Sequence, residues 1–379
     1  MQAQTSQIRD LLKELARPRL TGTSGAQEVS DILRTRFAEI GFQPREYPFS
    51  FSTIPGRFAV TSVGAIFLIG TLTSAALLNM RHPGVALVVL GVVLMLAGFI
   101  AALTPILAEM LPFKKVSTAN LLFHKEGSRP RFLVMAHLDS KSQPLPLAFR
   151  GPAIIIAIFT FIALVVYAVF SILDPVYLIR NVTTLLSVLC FISGVLLVFC
   201  WVDNRSPGAL DNASGLATLL GVAVRNRDQG DIGYLVTDGE ELGLMGARDI
   251  ARKLDPVIGV INVDGIDDDG PYHILERFGT PPRHIAPHLV AALLTAASEI
   301  DVPARRRKVP FGLLLDHIPL ARRHLPAITL MRGSLRSLRR VHRPADSADV
   351  MNGSGIEAAV ALVDRALAIL RSQPMGPSL

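Results

Sequence analysis

The segment DIGYLVTDGEELGLMGARDIARK, residues 231–253, decides how this chain reads. Residues 232–237 form a short apolar run bounded by turn residues, the signature of a buried strand. The run ends in Asp238-Gly239-Glu240-Glu241-Leu242-Gly243, and 243–253 then follows a helical pattern. A strand that hands over to a helix through an acidic loop is an α/β unit, and open α/β sheets bind ligands at the carboxyl ends of their strands. Similar strand-like runs lie at 119–123, 131–136, 257–263 and 327–331. Helical patterns occupy 7–16, 26–40, 214–225, 284–300 and 356–371. In the second of these, Val29, Ile32, Leu33, Phe37 and Ile40 recur at helical spacing and Gly41 supplies the stop. Strands followed by helices predict an α/β fold, with a mostly parallel or mixed sheet covered on both faces.

The strand ends carry the chemistry. The run at 131–136 leads into His137-Leu138-Asp139, and the run at 257–263 ends in Asp264. Two loops add Asp211-Asn212, just ahead of the helix near Ser214, and His342 in Val341-His342-Arg343-Pro344-Ala345-Asp346-Ser347. Each has a plainer reading. Asp211-Asn212 suits a helix N-cap, and Glu240-Glu241 suits the first turn of a helix, where acids oppose the macrodipole. Asp264 could belong to a solvated acidic turn with Asp267, Asp268 and Asp269, and His342 could be a surface histidine. Together, however, they form a mixed histidine and carboxylate set at strand ends, which is what zinc uses in catalytic sites.

The composition adds a membrane. Half of the 379 residues are hydrophobic and 18% are charged, against about 25% charged in soluble domains. The excess sits in four uncharged runs, 58–79, 83–108, 152–173 and 182–202, each long enough for the roughly 20 residues of a spanning helix. They pair as two hairpins, turning at 81–84 and across 174–181. The first 50 residues are polar and amphipathic, unlike a signal peptide. The predicted division is therefore one large α/β domain in three pieces (1–56, 113–150 and 204–379), interrupted by transmembrane hairpins at 57–112 and 151–203. Four spans leave every other segment on one side. Arg57, Lys114, Lys115, Arg150 and Arg205 flank the spans there, against Arg81 and Arg180 at the tips, so the soluble part is expected to face the cytoplasm from a plasma (inner) membrane. The net charge of +7 fits an anionic lipid surface. Both cysteines, Cys190 and Cys200, fall in the fourth run, so no disulfide framework is expected.

With these residues in view, the chain resembles the co-catalytic di-zinc exopeptidases, the family of leucyl-type aminopeptidases, glutamate carboxypeptidases and glutaminyl cyclases. RLTGTSG at 19–25 resembles the family's N-terminal segment. AHLDS at 136–140, GALDNASG at 208–215, DGEELGLMGA at 238–247, NVD at 262–264 and the segment of His342 and Asp346 match its ligand motifs in order. The resemblance implies a three-layer αβα fold and two zinc ions per chain. Asp211 would bridge them, His137 and Asp264 would complete one site, and Glu241 and His342 the other. Glu240 would be the general base, and Asp139 would hold the second nitrogen of His137. Arg343 stands where the family usually has Thr after its last histidine. The Asp316-His317 pair would line the site without ligating.

The resemblance thus implies a zinc aminopeptidase acting on peptides, and the four apolar runs add a membrane anchor. One alternative is an acyl transferase like the glutaminyl cyclases, suggested by HLDSK at 137–141 and DHIP at 316–319. The family's cyclases line their pocket with tryptophans, and Trp201, at the end of the fourth run, is the chain's sole tryptophan. A catalytically silent membrane scaffold is a further alternative, but such proteins lose ligands and all five remain. Arg332, Arg336, Arg339, Arg340 and Arg343 would face lipid headgroups or form a carboxylate-binding rim. Without interleaved aromatic residues they do not suggest nucleic-acid binding. Only 140–151 and 203–210 join the second hairpin to ligand segments, so the active-site mouth is expected to border the bilayer.

Overall fold

The computed structural model describes residues 2–174, 180–277, 279, 284–310, 312–334 and 336–373. The chain divides into two units. The first comprises Met1–Phe51, Lys115–Ser142 and Asn204–Leu379, and the second Ser52–Lys114 and Gln143–Asp203.

The first unit is built on eight strands among the described residues: β1 (Gln43–Ser52), β2 (Lys115–His124), β3 (Phe132–His137), β4 (Ile232–Thr237), β5 (Gly259–Ile266), β6 (Tyr272–Arg277), β7 (Ala304–Lys308) and β8 (Ala327–Arg332). Their order is β1-β2-β4-β3-β5-β8-β6-β7. The central four, β4, β3, β5 and β8, are mutually parallel, whereas β2 and β6 join antiparallel. The result is the mostly parallel mixed sheet expected from the sequence.

Side-chain alternation assigns the two faces. Phe132, Val134 and Ala136 of β3 share one core with helices α1 (Gln2–Leu15), α2 (Ser24–Glu39), α7 (Ser214–Arg225), α9 (Pro287–Glu299) and α11 (Ser354–Ser372). Leu133 and Met135 point to the other, with α8 (Met245–Lys253) and α10 (His317–Arg322). Period-two burial on both faces makes the unit a three-layer αβα sandwich. Phe37 anchors the larger core: it stacks on Phe123 at 4.0 Å and meets Phe42 edge-on at 6.1 Å. Phe37→Ala is expected to cost about 3–5 kcal/mol, read by urea unfolding in detergent; a loss under about 1 kcal/mol would contradict this packing.

Three strands escaped the sequence reading, and they lie toward the sheet's two edges. β7 is ARRRK with its last four residues exposed, so the basic run at 305–308 is an edge strand. β1 alternates exposed Arg45 and Glu46 with buried Tyr47. Edge strands bury little and carry charges that discourage further pairing, which removes the apolar run that marks a central strand. The acidic turn is not simply solvated. Asp267 accepts hydrogen bonds from Ser337 Oγ (2.6 Å) and Arg340 Nη2 (2.7 Å), and Asp268 from the backbone of Asn352 (2.6 Å) and Gly355 (3.0 Å).

Among the described residues, the second unit contains four helices long and apolar enough to cross a membrane: α3 (Thr53–Asn79), α4 (Pro83–Met110), α5 (Leu147–Leu173) and α6 (Arg180–Val198). α3 and α6 approach closely. A Cβ on Gly64 would meet the Leu197 backbone at 2.7 Å, and one on Gly194 would meet Leu68 at 2.8 Å. Small residues at these positions permit such close helix contacts. Some polar groups bond locally, as in Thr71 Oγ1 to the Phe67 carbonyl (2.7 Å), and others between helices, as in Thr183 Oγ1 to Asn79 Oδ1 (2.5 Å). Pro83 opens α4, which shortens the first turn to 80–82. The second turn, at 175–179, lies outside the described residues. Cys200 falls just beyond α6 rather than within it.

Candidate metal centre

The candidate residues come from the carboxyl ends of β3, β4 and β5, three neighbours in the sheet, and from two loops. His137 ends β3. Glu240 and Glu241 occupy a tight turn between β4 and α8, closed by hydrogen bonds from Gly243 and Leu244 to the Glu240 carbonyl (3.0 and 2.9 Å). They therefore precede the helix and do not form its first turn. Gly246 is required behind them, because a Cβ there would lie 2.2 Å from the Asp238 carbonyl oxygen. Asp264 sits within β5, where the pairing with β8 shifts register between Val263 and Ile266.

Asp211 stands at the centre. Its Oδ1 is 3.2 Å from His137 Nε2, and its Oδ2 is 3.0 Å from His342 Nε2. Asp264 Oδ1 lies 3.6 Å from the same His137 nitrogen, and Glu241 Oε1 lies 3.6 Å from the same His342 nitrogen. Two three-residue groups result, His137–Asp211–Asp264 and Asp211–Glu241–His342. Within each, the ligand atoms fall within 4.8 Å of one another. His137 Nε2 and Glu241 Oε1 are buried and make no well-formed hydrogen bond. Buried polar atoms without such a bond are costly, and a cation between them removes the cost. The donors, two imidazoles and three carboxylates, suit zinc.

The surrounding contacts fix each donor. His137 Nδ1 meets the backbone carbonyl of Asp139 at 3.0 Å, which places the proton on Nδ1 and leaves the Nε2 lone pair for a metal. The Asp139 carboxylate, expected from the sequence in this role, lies 3.6 Å from Nδ1. Its Oδ1 and Oδ2 accept the backbone N–H groups of Glu240 and Glu241, each at 3.1 Å. Asp139 thus holds the acidic turn, and the polypeptide carbonyl orients the histidine. Asn212 ties Asp211 to β5: its Nδ2 donates to the Val263 carbonyl (3.0 Å), and its Oδ1 accepts from Gly265 N (3.2 Å) and Gly215 N (3.0 Å). Of the Asp-Asn pair foreseen as an N-cap, Asn212 thus bonds the first turn of α7 from one residue ahead of the N-cap, Ala213. The Asp346 carboxylate receives Leu210 N (2.8 Å) and Asp211 N (3.2 Å), which joins the His342 loop to the Asp211 loop.

Charge accumulates here. Burial raises the Glu240 carboxyl well above its usual range, with Glu241 and Asp316 adding to the shift and His137 and Lys141 opposing it. Burial also lifts Asp264, and it takes Asp238, Asp316 and Asp346 to about 7. For Asp211, burial pushes upward, but hydrogen bonds with His137 and His342 prevail and hold it well below the ordinary value. Burial lowers His342, and Lys141 adds to that. Two cations that the sequence reading did not assign stand against this acidity. Lys141 Nζ lies 2.5 Å from Glu241 Oε2, and Arg19 is fully buried nearby. Asp316 and His317 line the region: Thr237 Oγ1 donates to Asp316, and His317 Nδ1 pairs with Thr329 Oγ1 at 2.7 Å. In the Arg-rich loop, Arg340 is engaged by Asp267, and Arg332 Nε donates to the Gly270 carbonyl (3.0 Å), so part of its charge is spent inside the fold.

Residues 191–366, just under half of the chain, match the model of Peptidase family M28. No curated protein matches the chain. Among solved structures, the fold is similar to that of BSAP, a zinc aminopeptidase from Bacillus subtilis (TM-score 0.56, 12% identity, 98% of this chain and 96% of that one). It is also similar to an aminopeptidase from Aneurinibacillus sp. strain AM-1 (0.55, 12%, 96% and 93%) and to the glutaminyl cyclase of Porphyromonas gingivalis (0.57, 15%, 97% and 98%). At such identities the structural likeness speaks to the fold. The peptidase family match, together with the two ligand groups, bears out the expected zinc metallopeptidase.

Proposed function

We propose that the chain is a membrane-anchored aminopeptidase that hydrolyses the N-terminal bond of peptides, with Glu240 as general base and His137, Asp211, Asp264, Glu241 and His342 as ligands of two zinc ions. The observation that carries this reading is the Asp211 carboxylate, which turns one oxygen to each histidine. Bound zinc would polarise the scissile carbonyl and lower the pKa of the attacking water. Glu240 takes the proton of that water on its carboxylate and returns it to the leaving amine. The turn that Asp139 grips keeps Glu240 beside Glu241, so the base stays next to the metal ligands through the reaction. The four long apolar helices of the second unit would span the bilayer, and the excess of flanking basic residues favours the cytoplasmic face for the first unit.

The full-length protein in detergent tests this reading. It is expected to release amino acids from aminoacyl amides, to lose that activity on chelation and to regain it with zinc. Full activity after complete metal removal would sink it. The cyclase reading is supported by the likeness to the Porphyromonas gingivalis enzyme, and cyclisation of N-terminal Gln peptides without hydrolysis would establish it instead. External protease that digests the first unit in intact cells would reverse the orientation.

A further inference from the structure

Arg19 is fully buried, yet its guanidinium makes all of its hydrogen bonds to backbone carbonyls. Nε donates to Leu138 (2.6 Å) and Nη2 to Gly208 (2.9 Å), while Nη1 donates to Pro207 and to Arg17 (3.1 Å). Leu138 lies between His137 and Asp139, and Gly208 lies three residues before Asp211. One planar fork therefore grips the two loops that present the first metal group. These loops have no short covalent connection, because the chain between them runs through Gln143–Asp203. Smaller bonds repeat the same seam. Ser140 Oγ accepts from Arg19 N (3.2 Å) and donates to the Ser206 carbonyl (3.1 Å), Arg205 N donates to Ser142 Oγ (2.9 Å), and Leu20 N donates to Asn204 Oδ1 (2.9 Å). A Cβ on Gly208 would lie 2.5 Å from Ser140 Cβ and 3.0 Å from Arg19 Nη1, so the loops close tightly around the fork.

From this geometry we infer that Arg19 is a positioning residue for zinc: it closes the gap that the inserted segment opens between the His137 loop and the Asp211 loop, and it sets their separation. Arginine is required because its rigid fork meets several acceptors at once, where lysine offers a single point charge. The inference rests on the metal-site reading above. Groups that orient metal ligands typically change metal affinity by 10- to 100-fold when removed.

The test uses full-length protein in detergent, with zinc affinity measured by competition with a chromophoric chelator. Arg19→Ala and Arg19→Lys are each expected to weaken zinc binding by about 10- to 100-fold. Added methylguanidinium should restore affinity to Arg19→Ala and leave Arg19→Lys unchanged. Leu293→Ala, a core truncation away from the seam, serves as a control for general destabilisation and should leave affinity unaltered. Ser140→Ala removes part of the seam without disturbing a buried charge, and it covers the case in which the Arg19 variants do not fold; it should weaken zinc about fivefold. Parent-like affinity in the folded Arg19 variants, or in Ser140→Ala when those do not fold, overturns the positioning role while leaving the metal site standing. A parent protein that binds no zinc overturns the metal site and this role with it.

Discussion

Glu240→Gln is expected to lower kcat by about 10²- to 10⁴-fold, the usual contribution of a positioned general base, while the protein keeps about two zinc ions per chain. The substitution preserves shape and removes only the ability to take up a proton. Glu240 is outside both ligand groups, so metal content should not follow activity. Its backbone N–H is held by Asp139 Oδ1 at 3.1 Å, an anchor that the side-chain change leaves intact. The readouts are zinc by elemental analysis and turnover of an aminoacyl amide. If turnover survives within threefold of the parent, Glu240 is not the base. If zinc is lost together with activity, Glu240 is a ligand and the division of labour with Glu241 is wrong.

The second large effect separates shared from unshared ligands. Asp211→Ala should reduce zinc from about two per chain to none, because Asp211 contributes to both groups through different oxygens. Asp264→Ala should remove only one ion, because its single neighbour among the histidines is His137 and the Asp211–Glu241–His342 group remains whole. Both variants should lose peptide hydrolysis, so stoichiometry is the discriminating measurement. One zinc retained by Asp211→Ala would mean that the two groups are independent. Circular dichroism of each variant guards against reading unfolding as metal loss.

The legibility of this protein followed burial. β3, β4, β5 and β8 are packed on both faces, and their apolar runs were visible to within a few residues. So were the four long helices, whose uninterrupted apolar runs are a purely local feature. β7 was hidden because an edge strand has no need of an apolar run, and four exposed basic residues satisfy its backbone pairing equally well. The candidate ligands were visible for a different reason. Imidazoles and carboxylates at strand ends are rare enough in combination to stand out. The groups that hold them were not, because their work depends on where the chain returns in space. Asp139 looked like a partner for the His137 ring two residues away. In the fold its carboxylate reaches Glu240 and Glu241, across more than a hundred residues of sequence.

Local pattern alone specifies an α/β unit with a histidine and carboxylate set at its strand ends, interrupted by long apolar runs. Those features arise from local periodicity and residue type, which any contiguous stretch displays. Which Asp211 oxygen faces which histidine emerges from the folded arrangement. It alone showed that a carbonyl rather than a carboxylate orients His137, and that Arg19 and Lys141 are the cations set against the cluster's negative charge. These are contacts between segments that meet only after folding. A buried charge reveals its partner through distance, and distance is the one quantity that a linear pattern does not contain.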